Sequence, residues 1–403
     1  MKDTLARPCF SILDVFVHPH SFSDLEEDQS PIRTVMKFHV PSWVKFNYAQ
    51  LKILICAMVA FPLWGQERMN KLDFTEKSRQ RIERIRKGDF TITLFDSLGN
   101  PVPHAEVELH LKRHAFLFGT AVSDHWLTSE SREGSRYREY LQKNFNALVS
   151  ENAMKWPQTE PEPGEFDFSG GERFLDFAKI HAMEVRGHCL FWSKEKFQNE
   201  CVKALTGEAL QKAVENRLQK TLRHYAGRVP FWDLNNEMLN SDFFSSRCGE
   251  DIRVEMFRMA KKLSPEARFF TNEYSILDND ERVDTYLALI KKFQAQGAQI
   301  GGIGIQEHAA ERFAQVHEAD DRAERQGAAP LIPEEVWRRL DRLGETGLPI
   351  HITEVSFKTT DDAKQAEALE AFYRTAFAHP AVDAFFLWGF WERAHWLGGE
   401  ACL

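Results

Sequence analysis

Cysteine is scarce in this chain. Six occur in 403 residues, at positions 9, 56, 189, 201, 248 and 402, with no C-x-x-C pair and no His/Cys ligand spacing. That pattern argues against a zinc site, and no metal is expected. No G-x-G-x-x-G follows an apolar run, and G-x-S-x-G, H-E-x-x-H and the phosphate-cradling P-loop are missing too, so no cofactor is expected. Positive charge is not in excess: 51 Lys and Arg stand against 60 Asp and Glu, for a net charge of -9. A nucleic-acid partner, which needs a concentrated basic face, is therefore not expected. No apolar run approaches the roughly 20 residues that cross a bilayer as a helix.

What is present is apolar and aromatic residue in quantity: 43% hydrophobic, with ten Trp and thirty-two Phe. Such a chain buries a large core, and indole faces left over from the core can stack on sugar rings. Residues 1–65 read as an N-terminal extension. Lys37, Lys45 and Lys52 precede the short apolar run Ile53 to Leu63, followed by Gly65. Charge, apolar run and small residue in that order describe a signal peptide, so export and no stable membrane insertion after cleavage are expected. Four cysteines then remain, and a Cys201–Cys248 bridge and free thiols stay equally open. Residues 66–88 form a charged linker or helix. Residues 89–112 hold two alternating runs, Phe90–Phe95 and Ala105–Leu111, around the turn signal Asp96–Pro101, which predicts a small β-hairpin module.

From residue 113 onward, eight short apolar runs alternate with amphipathic stretches: 115–122, 147–151, 184–192, 229–236, 267–272, 300–306, 349–355 and 383–390. Strand and helix in eightfold alternation predict an α/β fold of the (β/α)8 TIM-barrel type. Too few residues follow Phe390 for the helix that closes the eighth unit, so that helix is expected to be missing.

Active sites of such barrels lie where strands end. The second run ends in Glu151-Asn152, with Lys155 and Trp156 just beyond. The third carries Arg186-Gly187-His188 and ends at Trp192, and the fourth ends in Asn236-Glu237. Asn272-Glu273-Tyr274, Gln306-Glu307-His308, Glu354 and Trp388-Gly389 close the rest. One carboxylate cannot both protonate a leaving group and stabilise a cation, so Glu237 needs a partner, and Glu354 supplies it. Strands four and seven face each other across roughly 14 Å, which leaves about 5 to 6 Å between the carboxylates. That spacing predicts glycoside hydrolysis with retention of configuration.

The motifs Glu151-Asn152-x-x-Lys155-Trp156, Arg186-Gly187-His188-x-x-x-Trp192, Trp232-Asp233-x-x-Asn236-Glu237, Gln306-x-His308, Ile352-Thr353-Glu354 and Trp388-Gly389 occur in this order. In that order and spacing the chain from about Phe118 to Leu403 resembles glycoside hydrolase family ten, the endo-β-1,4-xylanases. The resemblance implies Glu237 as general acid/base and Glu354 as nucleophile. It implies that Asn152, Lys155 and His188 meet the glycone sugars and that Asn236 meets the 2-hydroxyl of the sugar under attack. Gln306 and His308 would stand beside the nucleophile, with Glu151, Trp192, Trp388 and Trp396 around the cleft. The implied partner is xylan, met by a secreted, monomeric enzyme.

Two positions depart from the pattern. Ser193 stands where the family usually has His after Trp192, and Ser356 stands where an Asp usually follows the nucleophile by two residues. The second change is expected to remove a carboxylate that orients His308 and to alter activity or its pH optimum. A β-1,4-glucanase on the same scaffold and a polysaccharide binder without activity remain alternatives at this stage.

Overall fold

The computed structural model describes residues 12–18, 63–102, 104–315 and 329–401. The lysines and most of the apolar run of the expected signal peptide lie outside the described residues, as do Cys9, Cys56 and Cys402. The chain divides into two compact units, 1–115 and 116–403.

In the first unit, the charged run lies within a helix, Leu63–Arg86. Its side chains pair along the surface, with Lys77 on Asp73 at 2.5 Å and Arg79 on Glu76 at 2.7 Å, the i,i+3 and i,i+4 spacings that suit a solvated helix. The expected hairpin is a different structure. Phe90–Phe95 forms no strand and makes only an isolated bridge, Phe95 to Pro101, across the turn that Asp96 caps. The second run is a strand, but it pairs with residues far upstream: β2 (Glu106–Arg113) lies antiparallel to β1 (Ile12–His18). Six continuous antiparallel residue pairs, Leu13 to His18, with a seventh beyond a register shift, outweigh the local turn, because a ladder satisfies far more backbone groups than a single bridge.

The second unit is a closed barrel of parallel strands. They are β3 (Leu117–Val122), β4 (Ala147–Ser150), β5 (Glu184–Gly187), β7 (Phe231–Asn236), β8 (Arg268–Tyr274), β9 (Gly302–Glu307), β10 (Ile350–Val355) and β11 (Val382–Leu387). Neighbour pairs all the way round, with β11 on β3 and β5 on β7, close these eight strands into a ring with no edge among them. The (β/α)8 expectation holds. Strands such as Ala147–Ser150 and Ile350–Val355 are buried at every position, because both faces of the sheet are covered, and the polar side chains of the second, His351, Thr353 and Glu354, are buried with the rest.

The third strand differs from expectation. The run 184–192 is one stretch in the sequence, but it splits into β5 and a two-residue β6 (Phe191–Trp192), both laid on β7, with a cis peptide between His188 and Cys189. The Trp232 indole fills the space over Gly187, where any Cβ would collide with it.

Helices cover the barrel at 132–144, 169–180, 207–224, 251–263, 280–295, 333–344 and 362–377. In the fourth of these, Ile252, Met256, Phe257 and Ala260 are buried on one face. Asn279 and Asp361 cap their helices by accepting Arg282 N–H at 3.0 Å and Ala363 N–H at 3.0 Å, contacts that contribute about 1 kcal/mol each. Among the described residues no α-helix follows β11; a single 3-10 turn, Gly399–Ala401, stands there. A small inner core of Leu117, Ala147, Val149, Phe386 and Trp388 fills the barrel interior, and the larger core lies between strands and helices.

Candidate active site

The strand ends open into one cleft of about 690 Å³. Glu151, Asn152, Lys155, Trp192, Glu237, Gln306, His308, Glu354, Trp388 and Trp396 all line it. His188 and Asn236, the other two residues singled out in the sequence, are fully buried behind its surface and reach it through their neighbours.

Glu237 sits one residue past β7, in the left-handed backbone region at φ 60°. Its N–H bonds to Asn272 O at 2.9 Å, which holds that conformation against the next strand. One carboxylate oxygen, Oε2, receives Trp192 Nε1–H at 2.9 Å and the Lys194 ammonium at 2.7 Å. The other, Oε1, receives Asn236 Nδ2–H at 3.2 Å.

Glu354, near the end of β10, is 4% exposed. Asn272 Nδ2–H donates to its Oε1 at 2.7 Å, and His308 Nε2 lies 3.3 Å from its Oε2. The other amide proton of Asn272 goes to Asn236 Oδ1 at 2.8 Å, where Gln306 Nε2–H also donates at 3.1 Å. Thr353 Oγ1–H fixes the far side of the Asn272 amide by donating to Oδ1 at 2.5 Å. Space for that amide exists because residue 304 is glycine: a Cβ there would come within 2.5 Å of Asn272 Oδ1. A continuous run of amides thus ties the surroundings of one carboxylate to the other.

Below this layer lies a buried charge cluster. Arg186 forms a two-pronged pair with Asp233, and His188 Nδ1 approaches the same carboxylate at 3.0 Å. Burial alone would push the Asp233 carboxyl upward, but Arg186 and His188 together hold it below the usual carboxylate range. Arg186 also donates to His351 Nδ1 at 2.9 Å. Burial, with Arg186 and Arg268 nearby, drives the His351 pKa well below its ordinary value, so it stays neutral and can accept that bond.

Ser356 keeps part of the role expected of a carboxylate. Its Oγ lies 3.1 Å from His308 Nδ1 and accepts Trp396 Nε1–H at 3.2 Å. A hydroxyl so placed can donate to Nδ1 and leave an Nε2–H facing Glu354. Ser193 turns away from the cleft and donates to Asn235 Oδ1 at 2.7 Å.

The strand-end acids separate sharply once placed. Glu307 points out of the cleft into a pair with Arg312 at 3.0 Å, and burial raises its pKa. Glu273 accepts Leu239 N–H at 3.0 Å behind Glu237, and burial pushes its pKa up to about 8. Alternation along a strand accounts for the first case, since Gln306 and His308 face in while Glu307 faces out. Two wall residues carried no signal in the sequence, Lys194 and Phe197, whose ring stacks on Trp192 at 3.7 Å, while Tyr274, at the end of the fifth run, lines the cleft beside them. Lys155 completes the other wall, 4.8 Å from the Trp192 ring and 2.9 Å from Asn152 Oδ1. His188, Asp233 and Glu354 bring metal-capable atoms together, but two of them already serve the buried Arg186 cluster. Cys189, Cys201 and Cys248 are free thiols.

This arrangement is similar to known proteins across most of the chain. The first is anti-sigma-I factor RsgI6 of Acetivibrio thermocellus, 35% identical over 332 residues, which covers 82% of this chain and 40% of that protein. Endo-1,4-beta-xylanase 1 of Arabidopsis thaliana is 32% identical over 345 residues, covering 85% of this chain and 33% of its own length. The chain therefore spans well under half the length of these curated relatives. Among solved structures, xylanase 10B from Thermotoga petrophila in complex with xylobiose superposes with a TM-score of 0.61 at 26% identity, covering 70% of this chain and 84% of that one. A family model described as Glycosyl hydrolase family 10 matches residues 107–403. By that match, over a closed eight-stranded barrel with its carboxylates at the strand ends, the chain belongs to glycosyl hydrolase family 10.

Proposed function

We propose that this protein is a retaining endo-β-1,4-xylanase working by double displacement. The carrying observation is the pair of buried glutamates just past β7 and on β10, joined through the Asn236–Asn272 amides in a tryptophan-walled cleft. Glu354, aligned by Asn272 and His308, attacks the anomeric carbon while Glu237 gives its proton to the departing glycosidic oxygen. A glycosyl-enzyme ester on Glu354 results. Glu237, now a carboxylate, takes a proton from water, which attacks the same carbon from the face the leaving group vacated and releases Glu354. Two inversions give net retention. The buried His188 Nε2 has no hydrogen-bond partner among the described residues and, with Nδ1–H turned to the Asp233 carboxylate, can accept from a glycone hydroxyl, while the Asn236 amide beside Glu237 is the proposed contact of the 2-hydroxyl.

The test is incubation of the protein with xylan, barley β-glucan and carboxymethylcellulose, with reducing ends and the first-released anomer followed by NMR. Release of the β-anomer from xylan is expected. First release of the inverted anomer would overturn the mechanism, and faster cleavage of the glucans would reassign the substrate. The lysine-flanked apolar run at 53–63 supports export toward such a substrate, and N-terminal sequencing of the native protein tests it. A monomer is proposed as well, with sedimentation velocity as its check.

A further inference from the structure

Lys194 occupies a position no catalytic scheme for this site requires. Its ammonium lies 2.7 Å from Glu237 Oε2, with its side chain only 13% exposed. Trp192 Nε1–H already donates to the same oxygen at 2.9 Å, and Asn236 Nδ2–H to the other at 3.2 Å. A general acid must carry a proton on an oxygen aimed at the leaving group. An ammonium has three donors and no acceptor, so at Oε2 it competes with the acid's own proton for the lone pairs of that oxygen. While Lys194 is docked, the proton-delivering form of Glu237 is obstructed on that oxygen.

The lysine also has somewhere to go. It borders both the main cleft and a second hollow of about 390 Å³, which is lined by Asn240, Ser241 and Asp242. The four-carbon stem lets the head group move between partners at little cost. A sugar on the leaving-group side brings hydroxyl oxygens that accept from an ammonium; an aryl leaving group brings none. We propose that Lys194 is a leaving-group sensor: it caps Glu237 in the free enzyme, and hydroxyls of a sugar bound on the aglycone side draw it off, freeing the acid for chemistry. The residue then discriminates by leaving group, favouring chain-internal cleavage over simple glycosides. This rests on the glycosidase reading above.

Phenyl β-xylobioside and xylotetraose, the latter followed by its cleavage into two xylobiose units, isolate the effect, since both reactions then leave xylobiose on the glycone side and differ in what leaves. In Lys194→Met the ratio of kcat/KM for the phenyl substrate to that for xylotetraose is expected to rise by roughly tenfold or more, the scale of one charge-assisted hydrogen bond. Lys194→Arg, which retains a cation, is expected to return the ratio toward that of the wild type. Because both rates come from one preparation, partial misfolding cancels. A Lys194→Met ratio within twofold of wild type, or lower than it, would overturn the proposal. A wild-type protein inert on both substrates would instead overturn the glycosidase reading itself.

Discussion

Asn272 donates to Glu354 Oε1 at 2.7 Å with one amide proton and spends the other on Asn236 Oδ1 at 2.8 Å. A single side chain on β8 therefore orients Glu354 and the residue that touches Glu237. Asn272→Ala removes both bonds while leaving the carboxylates in place. Loss of such an orienting partner is expected to lower kcat by about 10- to 100-fold with a smaller change in KM. Steady-state kinetics on xylooligosaccharides check it, and a pure KM effect would argue against an orienting role.

The two carboxylates are expected to fail differently. Glu354→Gln cannot form the ester and should abolish turnover on every substrate. Glu237→Ala should lose roughly 10²- to 10⁴-fold on xylan yet keep its first step with a 2,4-dinitrophenyl leaving group, which departs without a proton. Azide should then restore turnover and yield a β-glycosyl azide, identified by NMR. Equal losses for both variants on both substrates would contradict the assigned roles.

The Arg186–Asp233–His188 cluster makes an acid-side prediction. Because the Asp233 carboxyl is held below its ordinary value in the folded state, its contribution to stability is full above the unfolded pKa and is lost as pH falls through the folded one. Asp233→Leu leaves Arg186 buried without its partner and is expected to cost about 3 to 5 kcal/mol. Urea midpoints at several pH values check both points, and the variant's stability should fall less steeply than the wild type's below about pH 4.

Glu273 predicts the opposite sign. Burial raises its folded pKa to about 8, so the folded state holds a proton that the unfolded chain releases from about pH 4.5 upward. Its contribution is complete below the unfolded pKa and declines as pH rises to about 8. Glu273→Gln, which keeps a neutral acceptor for Leu239 N–H, should flatten that decline in urea midpoints measured from pH 5 to 8.5. An unchanged slope would show that Glu273 is ionised in the fold.

The barrel was legible because its strands are buried on both faces and so stand out as apolar runs between amphipathic helices. Glu237 and Glu354 were legible as acids at the ends of two such runs. Three features were not. The break between β5 and β6 hides inside a single strand-like stretch, residues 184–192, because a change of backbone path leaves no periodic mark. The pairing of β2 with β1 joins segments that the turn signal at Asp96 made appear unrelated. Lys194 reads as one more solvated charge, since nothing local tells that its loop folds back over β7. Asn272 and Glu273 illustrate the same limit: adjacent polar residues on one strand, of which one reaches Glu354 and the other clamps a turn.

The splitting of the third barrel strand carries a mechanical consequence. Trp192 pairs with Asn236 across the β6–β7 ladder, and Ser193 N–H closes on Asn236 O at 2.9 Å. The indole that donates to Glu237 is thus bolted to the same backbone segment that presents Glu237. Breathing of the barrel mouth would carry donor and acceptor together, as two teeth on one gear, so their spacing survives motions that change the width of the cleft.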